Sequence, residues 1–210
     1  MQSDDPTLAE SPDEALLRAG FGRGDDFVEV LRDNLHAPSA RHRVLALRGA
    51  VRQSLVESSD WLDALHDPSS EVRREAVNLI AYVTIDHGEI FDTIIGLLDD
   101  VDPLVVDGAV FALGEHLYSG AVERLCEVAM HHEDARCRES AIAALGAIGD
   151  DRGRPAILGA LDDKPPVRRR AIVALANFEG PDIDEALRRA SEDRDWQVRA
   201  AADQLGRGED

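Results

Sequence analysis

Along most of this chain the apolar positions fall in steps of three and four, the spacing of one helical face, and the helical stretches return about every 31 residues. Five segments align: DPSSEVRREAVNLIA from Asp67, DVDPLVVDGAVFALG from Asp100, HEDARCRESAIAALG from His132, DDKPPVRRRAIVALA from Asp162 and DRDWQVRAAADQLG from Asp193. Their first residues stand 33, 32, 30 and 31 positions apart. A weaker sixth copy, APSARHRVLALRGAV, starts at Ala37, 30 residues before Asp67.

Each copy has a physical reading. The leading Asp sits in a turn and is suited to cap the helix that follows. Pro68, Pro103 and the Pro165–Pro166 pair fall where that helix begins, a place where a missing N–H costs nothing. An apolar residue follows five positions after the Asp (Val72, Val105, Cys137, Val167, Val198). Four further on comes a small one (Ala76, Ala109, Ala141, Ala171, Ala202). After four more come Ile80, Leu113, Leu145 and Leu175, trailed by Ala81, Gly114, Gly146 and Ala176. One helical face results, and its small residues let a neighbouring helix come close. The stretch before each turn is a second amphipathic helix, as in Phe91–Ile94–Ile95–Leu98 and Val122–Leu125–Val128–Ala129. A single helix–turn–helix unit cannot bury its apolar face alone, so the units must stack.

The repeated pattern D-x-x-x-x-V-R-x-x-A-x-x-x-L-G resembles the short HEAT-like repeats of the phycobilisome-lyase type, over about residues 25 to 206. The resemblance implies an all-α fold, an α-α superhelix (a HEAT-like solenoid) of about six helix pairs, whose second helices line a concave face. Two departures stand out. Val106 replaces the Arg found at Arg73, Arg138, Arg168 and Arg199, and the last copy reaches Leu205–Gly206 one residue early. Residues 1–24 read as an acidic N-terminal tail followed by a short capping helix near Pro12–Ala19, and residues 25–210 as the repeat array.

Composition agrees with close-packed helices: 44% of residues are hydrophobic but only 4% aromatic. Charge adds something new. The net charge is −19, and Lys164 is the single lysine among 23 basic residues. Such an acid-rich, lysine-poor surface resembles those of proteins from salt-loving archaea, where carboxylates hold water in concentrated salt. It also argues against nucleic acid as a partner, which calls for a basic stripe. No apolar run approaches the roughly 20 residues that span a bilayer. The start, MQSDDP, lacks a basic and apolar leader, so the expected location is the cytoplasm, with no membrane partner and a monomer as the default state.

No residue pattern in the chain specifies a catalytic set or a cofactor. Cys126 and Cys137 match no disulfide framework or metal spacing, and the helix pattern puts Cys137 in the core. His87–Gly88–Glu89, Glu115–His116 and His131–His132–Glu133 invite a metal reading. The di-iron hydroxylase built on HEAT repeats carries His-Glu two and three residues after the repeat's Val. Those slots here hold Arg74–Glu75, Asp107–Gly108, Glu139–Ser140, Arg169–Arg170 and Ala200–Ala201, so that activity is not expected. The Asp and Arg ladders read as structural, each Arg tying a helix to the Asp-bearing turn of a neighbouring unit.

What remains is the concave face. Residues two, six and ten past the repeat's apolar position point away from the packed side. They include Arg48, Arg52, Arg74, Asn78, Tyr82, Phe111, Glu115, Arg169, Val173 and Asn177, with Ala143 and Ala147 between them. Arg and aromatic residues are favoured at interface hot spots. The expected function is therefore a non-enzymatic scaffold or adaptor that binds a protein partner on this row. Two alternatives stand beside it: a lyase- or chaperone-like subunit acting on a tetrapyrrole-bearing protein, which the resemblance implies, and a nucleic-acid repair protein. Whether Tyr82 and Phe111 face solvent or the core is left open by the pattern.

Overall fold

A computed structural model describes residues 11–86 and 88–206, over which the chain forms thirteen α-helices and no strand. It divides into two compact units, residues 1–79 and 80–210. The N-terminal unit holds α1 (Pro12–Gly20), α2 (Phe27–Asn34), α3 (Ala40–Arg52), α4 (Ser58–Leu65) and α5 (Ser70–Ile80), which ends at the border. The C-terminal unit holds α6 (Gly88–Gly96), α7 (Pro103–Glu115), α8 (Val122–His131), α9 (Ala135–Ile148), α10 (Arg154–Gly159), α11 (Pro165–Ala174), α12 (Pro181–Ala190) and α13 (Trp196–Gly206). From α2 to α13 the helices alternate as first and second members of six pairs. The acidic tail expected before Ser11, together with His87, lies outside the described residues.

The repeat pattern is the core. Val72, Val105, Cys137, Val167 and Val198 are all buried, as are Ala76, Ala109, Ala141, Ala171 and Ala202 one turn later. In the C-terminal unit the second helices pack side by side, α7 on α9, α9 on α11 and α11 on α13. Close approach demands small residues there: a Cβ added to Gly146 would lie 2.6 Å from the Ala174 Cβ. Ala176, in the same register as Gly146, departs from the pattern. α11 tightens into a 3-10 turn at Leu175–Asn177, and Ala176 is exposed.

α1 is more than an end cap. It packs on α3 as second helices pack on one another, and a Cβ on Gly20 would meet the Gly49 Cα at 3.2 Å. Ser11 starts it with a capping box: its hydroxyl accepts from the Glu14 N–H at 3.3 Å, and its own N–H donates to the Glu14 carboxylate at 2.9 Å.

In three copies the leading Asp caps the turn, not the helix. Asp67, Asp100 and Asp193 each accept the N–H two residues on, at 2.8, 2.9 and 2.7 Å. The helix N-caps are the later Asp102 and Asp134, which accept from Leu104 and Arg136 at 2.9 Å. Pro103 and the Pro165–Pro166 pair do open their helices, whereas Pro68 stands two residues ahead of α5.

The Arg ladder is the expected tie between successive copies. Arg43 clasps Asp67 with two bonds of 2.6 and 2.7 Å, Arg138 clasps Asp163 at 2.7 Å twice, and Arg168 clasps Asp193 at 2.9 and 2.7 Å. The same guanidinium also donates to a carbonyl of its own turn, as Arg43 does to Ala37 and Arg138 to His132, both at 2.7 Å. In the segment that starts at Asp162 the acceptor is Asp163, not the leading Asp162. That turn reaches Val167 one residue sooner than Asp67 reaches Val72, and the Asp162 carboxylate, 80% exposed, meets only Arg189 at 3.3 Å. Arg168 is 4% exposed, a depth at which an unpaired guanidinium would be costly. Fork-to-carboxylate geometry holds the Asp163 and Asp193 carboxyls below their ordinary value and raises Arg138 and Arg168.

Candidate partner-binding face

In the C-terminal unit Tyr82 is 76% exposed and Phe111 40%, and their rings meet at 5.9 Å in a tilted pair. The open choice between core and surface is thereby resolved: both are on the surface. Aromatic contact of this kind is worth about 0.5–1.5 kcal/mol, which holds the two rings as one patch. Phe111 continues into a groove of about 380 Å³ lined by Gly114, Ala143, Ala144 and Ala147, with Glu115, Glu139, Ser140 and Arg170. Small residues at the α7–α9 contact make this groove, since no long side chain fills it.

Polar side chains on the same face are largely committed to one another. Ser140 bonds Asp107, and Arg170 reaches Glu139 at 3.4 Å. Arg169 donates to Gln197 at 3.3 Å, and the Asn177 amide donates to the Gly146 carbonyl at 2.7 Å, fastening the end of α11 to α9. Glu115 and Val173 remain exposed. Asn177 and Arg169 are thus structural ties as much as candidate contacts.

In the N-terminal unit Arg48 is spent on Glu75, bonded twice at 2.6 Å, and Arg52 lies 4.3 Å over the Phe21 ring. Asn78 is exposed and Arg74 half-buried. Two residues escaped the pattern reading: Leu17 on α1, 51% exposed, and Phe21 at its C-cap, 62% exposed. The signal was present. Ala19–Gly20 stands in for Leu113–Gly114, which places Leu17 and Phe21 at the outward positions. It was hidden because α1 has neither the Asp turn nor the Arg.

His116, His132 and Cys137 are engaged within the fold. His116 packs edge-on against Phe91 with centroids 5.0 Å apart, and its Nε2 lies 2.9 Å from the Ile80 carbonyl. His132 Nδ1 accepts the Asp134 N–H at 3.1 Å. Burial pushes the Cys137 thiol up to about 11, which keeps it protonated and inert. Among the described residues no three His, Cys, Asp or Glu side chains converge, and no helix is long and apolar enough to cross a membrane. Trp61 is buried at 4% exposure while Trp196 is 66% exposed, so the two indoles do not share an environment.

A family model described as HEAT repeats matches residues 58–128, 101–166 and 122–206. No curated protein matches the chain by sequence. Among solved structures, an engineered protein is 20% identical, with a TM-score of 0.65 and coverage of 85% of this chain and 94% of its own. The complex of CpcE and CpcF of phycocyanin lyase from Nostoc sp. PCC7120 is 20% identical, with a TM-score of 0.60 and coverage of 96% and 77%. A designed armadillo repeat protein in complex with the peptide (KR)4 is 18% identical, with a TM-score of 0.57 and coverage of 95% and 100%. At these identities the likeness is one of fold.

Proposed function

The chain belongs to the HEAT-repeat family, and from that premise we propose that it is a non-enzymatic binding module holding a protein partner on the second-helix face of its C-terminal unit. The observation that carries this is the exposed Tyr82–Phe111 pair opening onto the small-residue groove between α7 and α9. Exposed aromatic rings beside a pre-formed apolar trough are what an apolar anchor side chain seeks. The designed repeat protein of similar fold in complex with a peptide supports a segment as the thing bound. The acid-rich surface fits a protein working in concentrated salt, where screening weakens the self-repulsion of a net charge of −19.

The test is a pull-down from native lysate at high salt, followed by affinity measurement with the captured partner. A Tyr82→Ala/Phe111→Ala double variant should weaken binding about a hundredfold, on the scale of two aromatic hot spots. Unchanged affinity overturns the proposal. A lyase-like role would show itself differently, as an absorbance change on adding bilin to the partner complex.

A further inference from the structure

The N-terminal unit carries a second surface of different chemistry. Acidic residues outnumber Lys and Arg 42 to 23 in this chain, so a guanidinium finds a carboxylate easily. Arg32, Arg41, Arg43 and Arg48 of this unit each do, on Glu57, Asp13, Asp67 and Glu75. Arg52 and Arg74 do not: among the described residues neither has a hydrogen bond or ion pair. Both stand at outward positions of second helices. Arg52 is stacked 4.3 Å over Phe21, which fixes the plane of its guanidinium and leaves its in-plane N–H donors unspent. Phe21, at the C-cap of α1, and Leu17, four residues earlier on that helix, are 62% and 51% exposed.

We propose that this face docks an acidic segment of a protein partner, its carboxylates taken by Arg52 and Arg74 and an aliphatic side chain laid on Leu17 and Phe21. The reading rests on the binding-module function proposed above but uses a different unit and different residues. Charge complementarity selects the occupant. Arg52 stands unneutralised against the exposed Phe21 ring, and Arg74, on the second helix that follows α3 in the chain, adds a second cation without a carboxylate. A guanidinium already held flat by an aromatic ring loses little freedom on gripping a carboxylate in its fork. A nucleic-acid strand is disfavoured because two guanidinium groups cannot offset a phosphate at every nucleotide against a chain of net charge −19.

Fluorescence anisotropy with the full chain tests this, using a labelled peptide of repeating Glu-Leu-Asp, its Gln-Leu-Asn counterpart, and a Lys-Leu-Arg peptide. The acidic peptide should bind best, and more weakly as salt rises. Arg52→Gln/Arg74→Gln should cut its affinity about tenfold or more, about 1.4 kcal/mol, with helix content unchanged by circular dichroism. Phe21→Ala should weaken it too, whereas Tyr82→Ala/Phe111→Ala should leave it intact. That last variant separates the two proposals: loss of native-partner binding with acidic-peptide binding retained shows two independent surfaces. Equal binding of the neutral or basic peptide overturns the inference. So does an unchanged affinity in the double Arg variant, or tighter binding of a single-stranded oligonucleotide of equal charge.

Discussion

Val106 and His132 stand at the two ends of one missing rung. Val106, fully buried on α7, occupies the register of Arg43, Arg138 and Arg168, and His132 occupies that of Asp67 and Asp193 one copy later. Both partners of the ion pair are therefore replaced together. His132 keeps half of the lost aspartate's work: its Nδ1 accepts the N–H two residues on, as the Asp67 and Asp193 carboxylates do. What it gives up is the clasp. A lone Arg at that depth would be a buried charge without a partner, and valine avoids it.

Rebuilding the rung should show coupling. Val106→Arg alone buries a cation opposite an imidazole and should destabilise. His132→Asp alone should be nearly neutral, since the turn bond survives. The double variant should recover stability relative to the sum of the two, by about 1–3 kcal/mol in a denaturant double-mutant cycle. Strict additivity would show that the two sites do not meet.

Breaking a native rung should be far costlier than removing a surface pair. Arg168→Ala strips the partner from Asp193 in a nearly buried site, and about 3 kcal/mol should be lost from the urea unfolding free energy. Arg188→Ala removes an exposed pair with Glu185 and should leave the midpoint where it was. Equal effects would mean that burial does not decide what a rung is worth.

Acid should find the rungs late. Asp163 and Asp193 titrate below their ordinary 3.8 because Arg138 and Arg168 grip them. A depressed folded-state value means that their contribution is complete above the unfolded value and lost as pH falls through the folded one. Chemical stability traced to these groups should thus be flat down to about pH 4 and fall below it. Asp163→Asn should reduce the slope of that fall, and an unchanged slope would show that other carboxylates govern it.

Leu117, the residue after the C-cap of α7, has φ of 49°, the left-handed region that side chains avoid, while Gly149 caps α9 at the same register with φ of 67°. Leu117→Gly should therefore raise stability by up to about 1 kcal/mol, seen as a higher melting temperature. A lower melting temperature would mean that the half-exposed leucine side chain is packed usefully against its surroundings.

The helical face and the rungs were legible because each copy states them again: Val72, Val105 and Val167 occupy one slot, and so do Arg43, Arg138 and Arg168. What was not legible depended on which side chain lies opposite. Nothing in the period tells that Asn177 would be drawn to the Gly146 carbonyl or Arg48 to Glu75. The change of acceptor to Asp163 came from a turn one residue short, and α1 went unrecognised as a packing helix because it has lost the turn that marks the others. In the pattern Tyr82 and Phe111 sit on the boundary between core and surface, and a repeat period alone does not say which side of it a ring takes.

The rungs also give the chain a direction. In each, the guanidinium belongs to the earlier helix pair and the carboxylate arrives 24 or 25 residues later. As the polypeptide leaves the ribosome, every finished pair presents a waiting cation to the turn that follows, so assembly proceeds by a latch set before its catch. Shortening from the two ends is then unequal. Cutting at the C-terminal side strands a guanidinium in a half-built core, whereas cutting at the N-terminal side frees only an aspartate in a turn that water can reach.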